Sequence, residues 1–142
     1  MHYRVKPHPT QSWTYEQHPV TVDVKSLPNL LARVIVADVW DPFLCDRIIA
    51  STPMLANEPG WRSHDWVRDA FSKLAAARGL AISRIAPAPG ADRKLRLDWD
   101  DMKSFARKYA EDKVESGRYA SPEHVEGPRP TWDMRTRQEL WS

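Results

Sequence analysis

Leu30-Leu-Ala-Arg-Val-Ile-Val-Ala-Asp-Val39, followed by Trp40-Asp41-Pro42, is the stretch on which the fold turns. Leu31, Val34, Ile35, Val36 and Val39 form a nearly continuous apolar run rich in β-branched residues. Such a run predicts a strand buried on both faces. The pattern then changes within three residues. Asp41 is a helix N-cap by type, and Pro42 suits the first helical position, where its missing N–H costs nothing. Phe43, Leu44, Ile48 and Ile49 follow at helical spacing and stop before Pro53.

Downstream, a second helix is expected from about His64 to Arg78. Ser63 is the expected cap, Asp65 suits the positive end of the helix dipole, and Gly79 suits the position after the helix. Residues 84–96 read as a Pro-rich surface loop. Asp98 is the expected cap of a third helix, Trp99 to about Glu115, with Trp99, Met102, Phe105, Tyr109 and Val114 on its inner stripe. Upstream, residues 1–6 alternate as an edge strand, Lys6-Pro-His-Pro-Thr10 must turn, and Trp13 to Val24 is extended, rich in aromatic and β-branched residues. Ser26-Leu-Pro-Asn29 is a further turn. Strands thus precede helices. The expected class is α+β, a small antiparallel sheet of two or three strands packed against three helices. The expected organisation is one domain over residues 1–115 and an extended Pro- and Arg-rich tail over 116–142, docked in part through Pro130-Thr-Trp-Asp133. Val34, Val36, Trp66, Phe71, Leu74, Trp99, Phe105 and Tyr109 are the expected core.

The 142 residues carry a net charge of +2, too small a bias to point to nucleic acid. Acidic and basic residues alternate, as on a solvated surface. The single cysteine, Cys45, leaves no internal disulfide and no cysteine-based zinc site, and suits a reducing compartment. No apolar run approaches the roughly 18 residues needed to span a bilayer, and the N-terminus has no signal-peptide core. A cytoplasmic chain without metal, cofactor, nucleic-acid or membrane partner is expected.

The stretch with most chemical potential is Gly60-Trp-Arg-Ser-His-Asp-Trp-Val67. A polar residue at a helix N-terminus behind a glycine loop faces free N–H groups and the positive dipole end, which stabilise an anion. Ser63 holds that place, but a serine needs a hydrogen-bonded base to become a nucleophile. His64 is adjacent and diverges from it along the helix, whereas His2 and His18 lie on expected strands. As a cap, Ser63 needs no further role. Asp98, Asp100 and Asp101 are explained by the helix start they occupy, and Arg93, Lys94 and Arg96 by a solvated loop. Trp61, Arg62, Trp66 and Trp132 are the candidate binding residues, the three tryptophans able to close over a small apolar ligand.

Trp13-Thr-Tyr-Glu16, Leu30-Leu-Ala-Arg-Val-Ile-Val36, Glu58-Pro-Gly-Trp61, Trp66-Val-Arg-Asp-Ala70, Trp99, Tyr109 with Lys113, and Pro130-Thr-Trp-Asp133 occur in an order that resembles a group of small fungal proteins. That group resembles in turn the permuted papain-like fold of lecithin:retinol acyltransferase-type proteins. The resemblance implies a cysteine nucleophile at the helix start and a histidine base on an earlier strand. Here Arg62-Ser63 stands where the group usually carries Asn-Cys, and the histidine strand would fall upstream of Met1, so it is expected to be missing. The resemblance implies a degenerate, non-catalytic member that binds a small molecule or a protein. The alternative is an active enzyme of fungal secondary metabolism, working through Ser63 and a histidine or by shaping a reactive small molecule in its cleft. An unpaired edge strand at residues 1–6 would also allow a homodimer.

Overall fold

The computed structural model describes residues 2–7, 9, 13–19, 30–55, 57–83, 99–121 and 127–141. The chain is α+β, and its described residues form three helices and two small sheets. Its elements run β1 (His2–Lys6), β2 (Thr14–His18), β3 (Arg33–Ile35), α1 (Pro42–Ala50), α2 (Ser63–Ala76), α3 (Trp99–Glu115), β4 (Thr131–Asp133) and β5 (Gln138–Trp141). The turn at 26–29, the loop at 84–96 and the Asp98 cap lie outside the described residues.

The chain gathers into two compact units, each made of two separated stretches: Met1–Thr21 with Val39–Ser83, and Val22–Asp38 with Arg84–Ser142. The expected division, a domain over 1–115 and a tail over 116–142, does not follow this grouping. The reason lies in strand pairing. β3 is short, and its partner is β4, about a hundred residues later in the chain. They pair in parallel, Arg33 with Thr131, Val34 with Trp132 and Ile35 with Asp133. β5 then pairs antiparallel to β4, giving the order β3-β4-β5. The stretch read as a tail therefore supplies two of three strands, and this sheet is mixed, not purely antiparallel.

In the first unit, β1 and β2 form an antiparallel hairpin, from His2 opposite His18 to Lys6 opposite Thr14. Period-two alternation puts Tyr3 and Val5, and Trp13 and Tyr15, on the face that packs against α2. Val5, Trp61 and Trp66 are buried together, with Tyr3, Trp13, Tyr15 and Ile49 around them. α1 starts as expected: the Asp41 carboxylate accepts from the Leu44 N–H at 3.0 Å, and Pro42 follows it. The Cys45 thiol is buried and donates to the Ala81 carbonyl at 3.3 Å. Burial pushes this thiol up, with the nearby Asp41 and Asp46 charges adding to it.

In the second unit, Met102 and Met134 are buried, with Val34, Val36, Phe105 and Trp132 packed against them. Trp66 and Tyr109 are buried as expected. Val34, Val36, Phe71, Leu74, Trp99 and Phe105 are half-buried. Leu31 and Val39 lie more than half exposed, so the apolar run at 30–39 is not buried along its length. Arg129, Thr131 and Asp133 are almost wholly buried. Thr131 and Asp133 lie in the segment expected to dock, and Arg129 falls just before it, in the part of the tail that was not.

Candidate functional site

The start of α2 is built by its own chain. Gly60 adopts φ of +84°, a conformation that disfavours side chains, and turns the backbone into Trp61. Arg62 is extended (φ −138°, ψ 168°) and is the N-cap residue, so Ser63 is the first helical residue and not the cap expected from sequence. The cap is reciprocal. The Arg62 N–H donates to Asp65 Oδ2 at 2.8 Å, and the Asp65 N–H donates to the Arg62 carbonyl at 3.0 Å. A carboxylate three residues into a helix satisfies an orphan donor in this way and suits the dipole.

His64 is exposed, with Nε2 3.5 Å from Asp65 Oδ1, and Arg68 Nη1 lies 3.3 Å from the same oxygen. His18 Nε2 lies 3.4 Å from Glu16 Oε2. Glu16 also receives Lys6 and Arg4, each at 2.7 Å, which hold its carboxyl down at about 2. Among the described residues no histidine side chain is hydrogen-bonded to Ser63. The His2 side chain, His8 and His124 lie outside that set.

The tryptophans proposed to close over a ligand are used otherwise. Trp61 and Trp66 are buried at 7% and 3% exposure, too little to form an open wall. Trp61 meets Trp13 edge to face, with centroids 5.2 Å apart. Trp66 meets Tyr15 at 5.7 Å and donates its indole N–H to the Thr52 carbonyl at 3.2 Å. Trp132 belongs to the second unit and packs on Phe105 and Tyr109. Among the described residues of the first unit, the large apolar side chains left most exposed are Val39, Trp40, Phe43 and Leu80, each at least 58% exposed. The Ala81 carbonyl, which accepts from the Trp40 and Asp41 N–H groups, brings the chain at Leu80 beside the start of α1.

A second polar constellation, in the second unit, joins residues that the sequence keeps apart. Tyr109 and Lys113, one helical turn apart on α3, both reach Glu139 on β5, at 2.5 Å and 2.6 Å. Burial and the Glu139 carboxylate push the Tyr109 phenol far up, so it stays a donor and is unsuited to act as a base. Burial pushes the Glu139 carboxyl up, but the Lys113 and Tyr109 hydrogen bonds outweigh it and hold that group below its usual range. On β4, Asp133 takes the Arg135 guanidinium at 2.6 Å, and Arg135 also pairs with Asp38. Along the outer side of α3 runs an open groove of about 330 Å³, lined by Leu31, Arg107, Ala110, Glu111, Val114 and Glu115.

No group of three or more His, Cys, Asp or Glu side chains among the described residues could hold a metal ion. No described helix is long and apolar enough to cross a membrane.

A model of a protein family matches residues 1–141 of this chain. The chain belongs to DUF6914, a family of unknown function. No curated protein and no solved structure matches it.

In this DUF6914 chain, sequence reasoning found the α2 start and its neighbours but missed Glu139, Arg135 and the capping role of Asp65. A signal for Glu139 existed. Lys113 falls on the same inner stripe of α3 as Tyr109, and a lysine there requires a buried-side carboxylate. Nothing in the local pattern near Gln138-Glu-Leu-Trp141 identifies which carboxylate answers.

Proposed function

We propose that this DUF6914 chain is a non-catalytic binding domain, a degenerate relative of the permuted papain-like group in which the helix start has become structural. The observation that carries this reading is the closed cap of α2. The position that would present a nucleophile holds a serine, the adjoining N–H is taken by Asp65, and the nearby imidazole faces that same carboxylate. A serine hydroxyl without an oriented base is a very weak nucleophile at neutral pH. The exposed group Val39, Trp40, Phe43 and Leu80 supports binding of an apolar partner, since apolar side chains gathered outward in this way mark contact surfaces.

The test is esterase turnover with p-nitrophenyl acetate and labelling with a fluorophosphonate probe, for the natural chain and Ser63→Ala. The expected result is hydrolysis indistinguishable between the two and no labelling of Ser63. Ser63-dependent turnover or a covalent adduct on Ser63 would overturn the reading in favour of an acyl-transfer enzyme.

A further inference from the structure

The two ends of α3 suit its dipole, with Asp100 and Asp101 in the first turn and Lys113 in the last, but the exposed charges between them run in the opposite order. Glu111, Asp112 and Glu115 crowd its C-terminal half, where the dipole favours cations, and Lys103, Arg107 and Lys108 precede them. Two of the pairs this order allows are formed, Arg107–Glu111 and Lys108–Asp112, both at 2.9 Å and both exposed. A base ahead of an acid at this spacing is the weaker order within a helix, and exposed pairs contribute little. The same order is self-complementary for two antiparallel helices. Lys103, Arg107, Ala110, Glu111, Val114 and Glu115 share one face by their spacing of three and four residues.

We propose that this face pairs with α3 of a second copy of the chain across a twofold axis beside position 109. Arg107 then faces Glu111 of the second copy, and Lys103 faces its Glu115. The antiparallel arrangement also opposes the two helix dipoles favourably. The groove floored by Leu31, Ala110 and Val114 is covered by the aliphatic stems of the second copy's Lys103 and Arg107. Leu31 and Val114 are about half exposed without that cover. The occupant is a second copy because the basic and acidic halves of one helix match in reverse, which is the condition a twofold contact imposes. The proposal concerns α3 alone and does not depend on the reading of Ser63.

Sedimentation velocity of the full chain tests it, at low and at high salt, with Lys103→Glu, Glu115→Lys and the double exchange. Both positions are exposed, so the substitutions leave folding intact, which circular dichroism verifies. The natural chain is expected to dimerise at low salt and dissociate as salt screens the pairs. Either single reversal counts twice through the twofold and weakens dimerisation by about tenfold or more. The double exchange restores it. A chain that stays monomeric at low salt, single variants that dimerise like the natural chain, or a folded double variant that stays monomeric would each overturn the proposal. The second of these outcomes would move the contact to another surface, such as the β1 edge.

Discussion

The Tyr109 hydroxyl donates to the Glu139 carboxylate at 2.5 Å, and that single contact ties the middle of α3 to the last strand of the chain, 30 residues on. Lys113 reinforces it from one turn further along the helix, with its ammonium 5.5 Å above the Tyr109 ring. The arrangement is a clasp: one carboxylate answers two donors that the α3 inner face could not leave unpaired.

The clasp has a measurable strength. Tyr109→Phe is expected to destabilise the chain by about 1–2 kcal/mol, since it leaves the carboxylate with one donor fewer. Glu139→Gln is expected to cost a similar amount because Lys113 loses its counter-charge. The two changes are expected to be non-additive by about 0.5–2 kcal/mol in a double-mutant cycle read by urea denaturation. Full additivity would mean that the two groups do not interact in solution.

Acid is expected to loosen both units, and the direction follows from the carboxylates. Arg135 holds Asp133 below the usual carboxylate range against the opposing effect of burial, and Lys113 and Tyr109 do the same for Glu139. A carboxyl with a depressed folded-state value adds stability that is complete above its unfolded value of roughly 4 and is lost as pH falls through the folded one. Glu16 is likewise held down, to about 2, by Lys6 and Arg4. Thermal melts should therefore be level from neutral pH to about 5 and fall progressively below about 4. Asp133→Asn should be less stable at neutral pH and show a shallower acid decline. An unchanged pH profile in that variant would remove Asp133 from the account.

At the start of α2 the structure separates two residues that look equally able to cap. Asp65→Ala is expected to cost about 1 kcal/mol, because it leaves the Arg62 N–H without its acceptor. Ser63→Ala is expected to stay within about 0.5 kcal/mol of the natural chain. The measurement is the shift in urea midpoint at constant slope. A larger loss at Ser63 than at Asp65 would return the capping role to the serine.

Much of this protein was legible in its residues alone. The three helices could be read because helix signals are local: an Asp-Pro start before Phe43, an acidic first turn at Asp100 and Asp101, and apolar residues recurring at three and four places around Trp66 and Tyr109. The two strands of the first hairpin could be read locally, residues 1–6 from alternation and Trp13 onward from its aromatic and β-branched residues, but their pairing, which leaves β1 partnered along one edge, came from the fold. What tertiary structure decided was everything that joins distant stretches. β3 pairs with β4 across nearly the length of the chain, and no local pattern in Arg33–Ile35 names Thr131–Asp133 as its partner. Trp61 and Trp66 could have faced a ligand or a core, and their contacts with Trp13 and Tyr15 chose the core. Arg129, Thr131 and Asp133 carry polar side chains that propensity assigns to the surface. They are buried because hydrogen bonds and ion pairs, which only the folded chain brings within reach, replace the water they give up.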